Sequence, residues 1–272
     1  MHKKALELCL YVAGGGAFGV FLRWLEDQLA FNELGLADPS AFHFMVPAFI
    51  IACAVVFWRF LTQLERRGYS LPPEIGPALG DQMVLHAILR WAFGGIMVLG
   101  GLLLFAKSET DKFVGMLRVL AALAVLSGLA YPLVLAESER EEPRKGLLMP
   151  LMLLPMLLYA TWLLLSYRRN SINSVPLSYG MEMLTVIVAM VAYFRMAGFA
   201  FGVAKTKGCM HGVMLSGTLC IMSLADERYM GMQMILLATA GQMLLYTWLM
   251  VQDLQKGEVK VEPKVDDGFE HL

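Results

Sequence analysis

Apolar runs of 18 residues or more recur along this chain, and they leave it very few ways to fold. At 1.5 Å per residue an α-helical run of that length spans about 30 Å, the thickness of a bilayer's hydrocarbon core. The runs place helices near 5–23, 41–63, 82–106, 113–136, 147–167, 180–204, 209–225 and 230–251. The segment Lys205-Thr206-Lys207-Gly208 reads as a tight turn between the sixth and seventh; read as part of one broken span, it would leave seven crossings. A transmembrane barrel would alternate apolar and polar residues over strands of about 10 positions. Continuous runs such as Leu147–Leu165 exclude it. The predicted fold class is therefore all-α, a polytopic integral membrane helix bundle of about eight transmembrane helices.

Composition agrees: 58% of the residues are hydrophobic, 17% are charged and the mean hydropathy is +0.60. A soluble domain needs more polar surface than that. With a formal net charge of −1, nucleic acid is not an expected partner. Cys9, Cys53, Cys209 and Cys220 fall inside spans and form no paired extracellular framework. The N-terminus carries Lys3 and Lys4 before an apolar stretch, but Glu7 interrupts it and no small-residue cleavage pattern follows. It reads as a retained first helix.

Basic residues set the expected orientation. With both termini cytoplasmic, the inner segments hold Lys3, Lys4, Arg59, Arg66, Arg67, Arg140, Arg144, Lys145, Lys205, Lys207, Lys256, Lys260 and Lys264. The outer ones hold Arg23, Lys107, Lys112, Arg168, Arg169 and Arg228, an inside excess of roughly two to one. The expected location is a cell membrane, the plasma membrane if the cell is bacterial. The connection Glu65–Asp81, with Pro72, Pro73 and Pro77, reads as a turn-rich loop, and 137–145 as a solvated charge run. The first outer loop, from Trp24 to Asp38, mixes apolar and acidic residues as a short interfacial helix would. Residues 1–252 form one membrane domain, and 253–272 form a charged cytoplasmic tail expected to be disordered or to dock a protein partner.

Charges within spans are the sharpest functional pointers, because burying one at the bilayer centre costs at least about 2.5–3.5 kcal/mol. Arg90 and Arg195 fall well inside the third and sixth spans, about 12–15 Å from the inner face by residue count. His86, Arg90, Gly94, Met97 and Gly101 share one helical stripe, as do Arg195, Gly198 and Gly202, which marks close packing or a narrow cavity rather than a lipid-facing surface. The span carboxylates Glu7, Glu182 and Asp226 sit near helix ends, so both arginines are expected to lack a carboxylate. Backbone carbonyls and the polar groups of Tyr193, Gln242 and Tyr246 are one set of acceptors, and a lipid phosphate or anionic solute is the other. The candidate ligand-binding residues are Arg90, Arg195, His86, Gln242 and Tyr246.

Gly15-x-x-x-Gly19, Gly198-x-x-x-Gly202 and Gly208-x-x-x-Gly212 have small-residue spacing for helix contact, and with Gly94 and Gly101 they form the expected packing set. Pro132, Pro150 and Pro155 are expected to kink their helices. The segment Gly15-Gly16-Ala17-Phe18-Gly19-Val20-Phe21-Leu22-Arg23 resembles the Gly-Gly-x-x-Gly-x-x-x-Arg opening of small fluoride channels, but that family's Thr/Ser/Phe-rich pore motif is absent. Twenty methionines, with Met230-x-Met232-x-Met234 and Cys209-Met210-His211, raise Cu(I) handling, and His86 with His211 raises haem. Most of the methionines scatter as core fillers do, so neither a metal site nor a cofactor is expected. There is no rhomboid-like Gly-x-Ser-Gly, no His-Glu-x-x-His and no P-loop, so an enzyme is not expected. The expected function is a small transporter, channel or permease-type subunit with an anionic or lipid-like ligand, and the alternative is an accessory, assembly or sensor subunit of a larger complex.

Overall fold

A computed structural model describes residues 2–29, 44–70, 79, 84–140, 144–170, 177–252 and 254–256. The helices are α1 (His2–Leu29), α2 (Met45–Arg66), α3 (Val84–Ser108), α4 (Val114–Ser138), α5 (Lys145–Asn170), α6 (Leu177–Ala200), α7 (Thr206–Met222) and α8 (Met230–Gln252). Among the described residues, eight helices are long and apolar enough to cross a membrane. A single 3₁₀ turn, Ser223–Ala225, follows α7. The β structure among the described residues is one short antiparallel ladder of β1 (Tyr69–Ser70) and β2 (Gln255–Lys256).

Two helix ends differ from the sequence reading. α1 continues through Trp24, Leu25 and Leu29, which the sequence assigned to an interfacial loop helix; residues 30–43 lie outside the described set. α6 stops at Ala200, four residues short of the predicted 204. The cause is a Schellman cap: Val203 N–H donates to Gly198 O at 3.0 Å, Gly202 N–H donates to Phe199 O at 3.3 Å, and Gly202 has φ 71°. Glycine accepts that left-handed conformation without steric cost. The cap separates α6 from α7, so the two runs are two helices.

α7 and α8 form the centre, with 67% and 78% of their apolar windows buried, whereas α2 at 22% lies on the edge. α8 packs on α3, α7 and α1; α7 also packs on α1, α6 and α2. The longest interface joins α3 and α4. There Pro132 cannot donate to the carbonyl of Gly128 one turn earlier. Gly94 lies against that carbonyl, so close that a Cβ on Gly94 would sit 2.6 Å from Gly128 O. Gly101 meets Ala121 O in the same way at 2.8 Å, and Gly100 meets Gly231 O of α8 at 2.9 Å. Gly19 is pressed on Met222 Sδ at 2.8 Å, while Gly15 makes ordinary contact with Thr218 at 3.6 Å. Gly16, Gly100, Gly128 and Gly231 make close approaches that the G-x-x-x-G pattern did not single out.

At one end of the bundle the ladder ties β2, just past α8, to β1, just past α2, and Lys4 Nζ lies 4.7 Å from the Tyr69 ring centre. This is the termini end. The root of the C-terminal tail is therefore paired at residues 255–256, where the sequence reading placed a disordered segment; residues 257–272 lie outside the described set. The prolines of the 65–81 loop also lie outside it, as do 141–143 of the charge run.

Candidate functional site

A wide cavity lies at the termini end and is built around Arg195. It is a groove of about 1070 Å³ lined by Trp58 of α2, Leu153 of α5, Phe194 and Arg195 of α6, Phe201, Val203 and Lys205 of the following turn, and Lys207 of α7. Trp58, Phe194, Phe201 and Val203 are themselves exposed, so the groove opens on the side of the bundle. Because α6 ends at Ala200, Arg195 lies about 8 Å from the helix end, nearer the surface than its sequence position implied. Its Nη1 donates to Gly208 O at 2.7 Å. The glycines of α7 make room for this side chain: a Cβ on Gly208 would lie 3.4 Å from Nη1, and one on Gly212 would lie 3.9 Å from Cδ. Gly202 packs against nothing within 4 Å, and Gly198 makes only ordinary contact with Ala204 at 3.4 Å, so neither is a close helix contact. Lys207 is held by Glu65 at 2.8 Å and lies 4.6 Å from the Trp58 ring centre. Among the described residues neither Arg195 nor Lys205 forms an ion pair.

Arg90 is a correction. It pairs with Glu139, just beyond the end of α4, so it does have a carboxylate partner. The sequence reading searched only the spans for an acceptor, and Glu139 lies past one. His86, on the same stripe, packs edge-on against Trp248 at 5.7 Å. Arg90 and Arg195 are not brought to one site: the first belongs to the α3–α4 pair, and the second to the groove between α6 and α7.

Gln242 is fully buried near the middle of α8. It accepts from Tyr193 Oη at 2.5 Å and donates to Met97 Sδ at 3.8 Å, so neither Tyr193 nor Gln242 serves an arginine. Beside it Tyr159 Oη and Thr239 Oγ1 share a hydrogen bond of 2.5 Å, and the Tyr159 and Tyr193 rings stack 5.8 Å apart. Tyr246 is edge-on to Tyr131 at 5.5 Å. A hydroxyl and amide cluster thus fills the bundle centre between α5, α6 and α8.

The densest polar assembly lies at the opposite end, and the sequence reading missed it. Arg23 Nε donates to Asp226 Oδ1 at 2.8 Å and its Nη1 pairs with Glu26 at 2.6 Å. Arg228 donates to Asp226 Oδ2 at 2.6 Å and to Ser223 O at 2.5 Å, and its Nε faces Glu182 at 3.7 Å. Glu182 also accepts from Trp162 Nε1 at 2.7 Å and from Ser166. Thr185 and Ser223 share a 2.8 Å bond. Arg169 pairs with Asp111, which also accepts from Tyr229 at 3.0 Å. The Arg23 and Arg228 side chains are each 6% exposed. A local hint lay in Arg23/Glu26 and Asp226/Arg228, charges of opposite sign three and two residues apart.

Burial alone would raise the Asp111 carboxyl, but the Phe113 N–H, the Tyr229 hydroxyl and Arg169 together hold it below its ordinary 3.8. The Tyr229 phenol is pushed above its ordinary 10.0, first by the bond to Asp111 and then by burial. A depressed carboxyl contributes stability above its unfolded value and loses it as pH falls through the folded one. A raised phenol contributes below its unfolded value and loses it as pH climbs through the folded one. Asp111→Asn is therefore expected to melt below wild type at neutral pH, with the gap closing below about pH 4. Melting temperature against pH for the two proteins checks this, and a gap independent of pH would exclude the charge as its origin.

Comparison with known protein families, with curated proteins and with solved structures found no match. The functional reading therefore rests on the geometry above.

Proposed function

We propose that the chain is a multi-pass membrane protein of transporter or permease type, with its termini in the cytoplasm, which takes an anionic, lipid-like ligand into the groove at Arg195. The observation that carries this is one cavity with two chemistries. Trp58, Leu153, Phe194, Phe201 and Val203 offer an apolar wall, and Arg195 and Lys205, which form no ion pair among the described residues, offer positive charge at its termini end. An acyl chain suits the wall and a phosphate or carboxylate suits the cations. The inner leaflet supplies such molecules, and each basic residue near an anionic surface adds about 1 kcal/mol of attraction.

Native mass spectrometry of the protein released from nanodiscs containing phosphatidylglycerol tests it. Wild type is expected to retain the lipid, and Arg195→Gln/Lys205→Gln to bind it at least about tenfold more weakly, the loss of one or two charge-assisted hydrogen bonds. Equal retention by both would reject the groove as the site.

A second reading, the accessory subunit, is favoured by one observation. The β1–β2 ladder fixes the root of the tail against the termini end, as a docking segment requires. Deleting 257–272 separates the two: lipid retention survives the deletion in the first reading, and a co-purifying partner is lost in the second.

A further inference from the structure

The charged assembly opposite the termini is unusual for its contents and for what lies beneath it. It joins α1 through Arg23, α5 through Ser166 and Arg169, α6 through Glu182, the segment before α8 through Asp226 and Arg228, and the α3–α4 turn through Asp111. A permanent plug between helices is more stable when built of well-packed apolar side chains, because buried ion pairs seldom recover their desolvation cost. Ion pairs have a different property: water can take them apart and they can form again, so they suit an element with two states.

The contacts beneath the assembly lead inward. Trp162 donates to Glu182 and stacks on Tyr159 at 5.9 Å. Tyr159 is bonded to Thr239, and its ring lies on that of Tyr193, which is bonded to Gln242. A continuous line of polar and aromatic groups therefore runs from the charged end to the bundle centre. Polar side chains at such depth are costly in a membrane and mark solute or ion routes. The two ends of the bundle also differ: the termini end has the wide lateral groove, whereas the opposite end is tied across five elements around a smaller cavity of about 400 Å³ lined by Ser166, Arg169, Glu182 and Arg228.

We infer that this ion-pair assembly is a gate, shut in the present conformation, over a route that reaches the Tyr159, Tyr193, Thr239 and Gln242 cluster. The inference rests on the transport reading. In the shut state Arg228 and Arg23 neutralise Asp226 and Glu182, and Trp162 and Tyr159, both fully buried, close the route beneath them. In the open state these pairs separate, and the central cluster faces the side opposite the termini while the groove end closes.

Native Cys220 is the probe. It is a free thiol, fully buried on α7, two residues before the helix ends at Met222 and Ser223 follows. With Cys9, Cys53 and Cys209 replaced by alanine, a membrane-impermeant, positively charged methanethiosulfonate is applied to proteoliposomes of known orientation, from each side separately. With the gate intact, Cys220 reacts slowly from the side opposite the termini. Asp226→Asn and Arg169→Asp are each expected to speed labelling from that side at least tenfold, with no change from the termini side. The exchange Asp111→Arg/Arg169→Asp restores a pair of opposite charges and is expected to return labelling to the slow rate. Labelling that stays slow in both single variants, with their melting temperatures lowered, overturns the gate and leaves a static clamp. Labelling that rises equally from both sides also overturns it, because that is general loosening. Lipid retention measured on the same proteins keeps the two proposals apart: wild type without lipid rejects the groove, whatever the thiol shows.

Discussion

Arg228→Ala is expected to destabilise the protein by about 3–5 kcal/mol, the largest effect of any single side chain in the charged assembly. The reason is what the substitution leaves behind. Arg228 is 6% exposed, and its guanidinium donates to Asp226 and to the Ser223 carbonyl and faces Glu182. Among the described residues, its removal leaves Asp226 dependent on Arg23 alone and Glu182 without a cation, and leaves the Ser223 carbonyl with only the 3.4 Å bond from the Asp226 N–H. Arg228→Lys keeps the charge but has no planar fork to serve three acceptors, so it should recover only part of the loss. Adding Glu182→Gln to Arg228→Ala removes one uncompensated charge and should recover part of the remainder. Denaturant titration of the purified protein measures all three. A loss under 1 kcal/mol for Arg228→Ala would mean that water already solvates these carboxylates and that the assembly is not a buried network.

How much of this was legible in the sequence follows from the range of each interaction. Helices were legible because long apolar runs leave the backbone no other partner than itself. The end of α6 was not, because Gly202 fits two patterns: a residue seven places after Arg195 on one face, or a left-handed cap. Only the capping hydrogen bonds of Val203 and Gly202 decide for the cap. Arg90 looked unpaired because its partner lies beyond a helix end, 49 residues away. Arg23 and Asp226 are 203 residues apart, and Tyr229 and Asp111 are 118 apart. No periodicity links positions at such separations; the order in which the helices pack does. The same holds for Tyr193 and Gln242, each visible as a polar residue in a span but not as a pair.

Gly94 and Gly95 are neighbours in sequence, and their substitutions are expected to differ in sign. Both lie within α3, where alanine is favoured over glycine by about 0.5–1 kcal/mol. At Gly95 nothing lies within 4 Å of an added Cβ, so Gly95→Ala should be neutral or slightly stabilising by that amount. At Gly94 the same carbon would lie 2.6 Å from Gly128 O and 3.1 Å from Pro132 Cδ. Neither neighbour is a flexible side-chain tip: one is main chain and the other a proline ring, so α3 and α4 must separate. The mirrored contact, in which a Cβ on Gly128 would lie 2.7 Å from Gly94 O, means that separation cannot be absorbed by one helix alone. Overpacking of this kind costs about 1–3 kcal/mol, and the longest helix interface of the bundle is the one disturbed. Gly94→Val should therefore cost more than Gly94→Ala, while Gly95→Val should change stability by less than about 1 kcal/mol. Thermal melts of the four variants in one detergent decide it. Equal gains for the two alanine variants would mean that glycine at 94 acts only through helix propensity, and that the α3–α4 backbones do not touch.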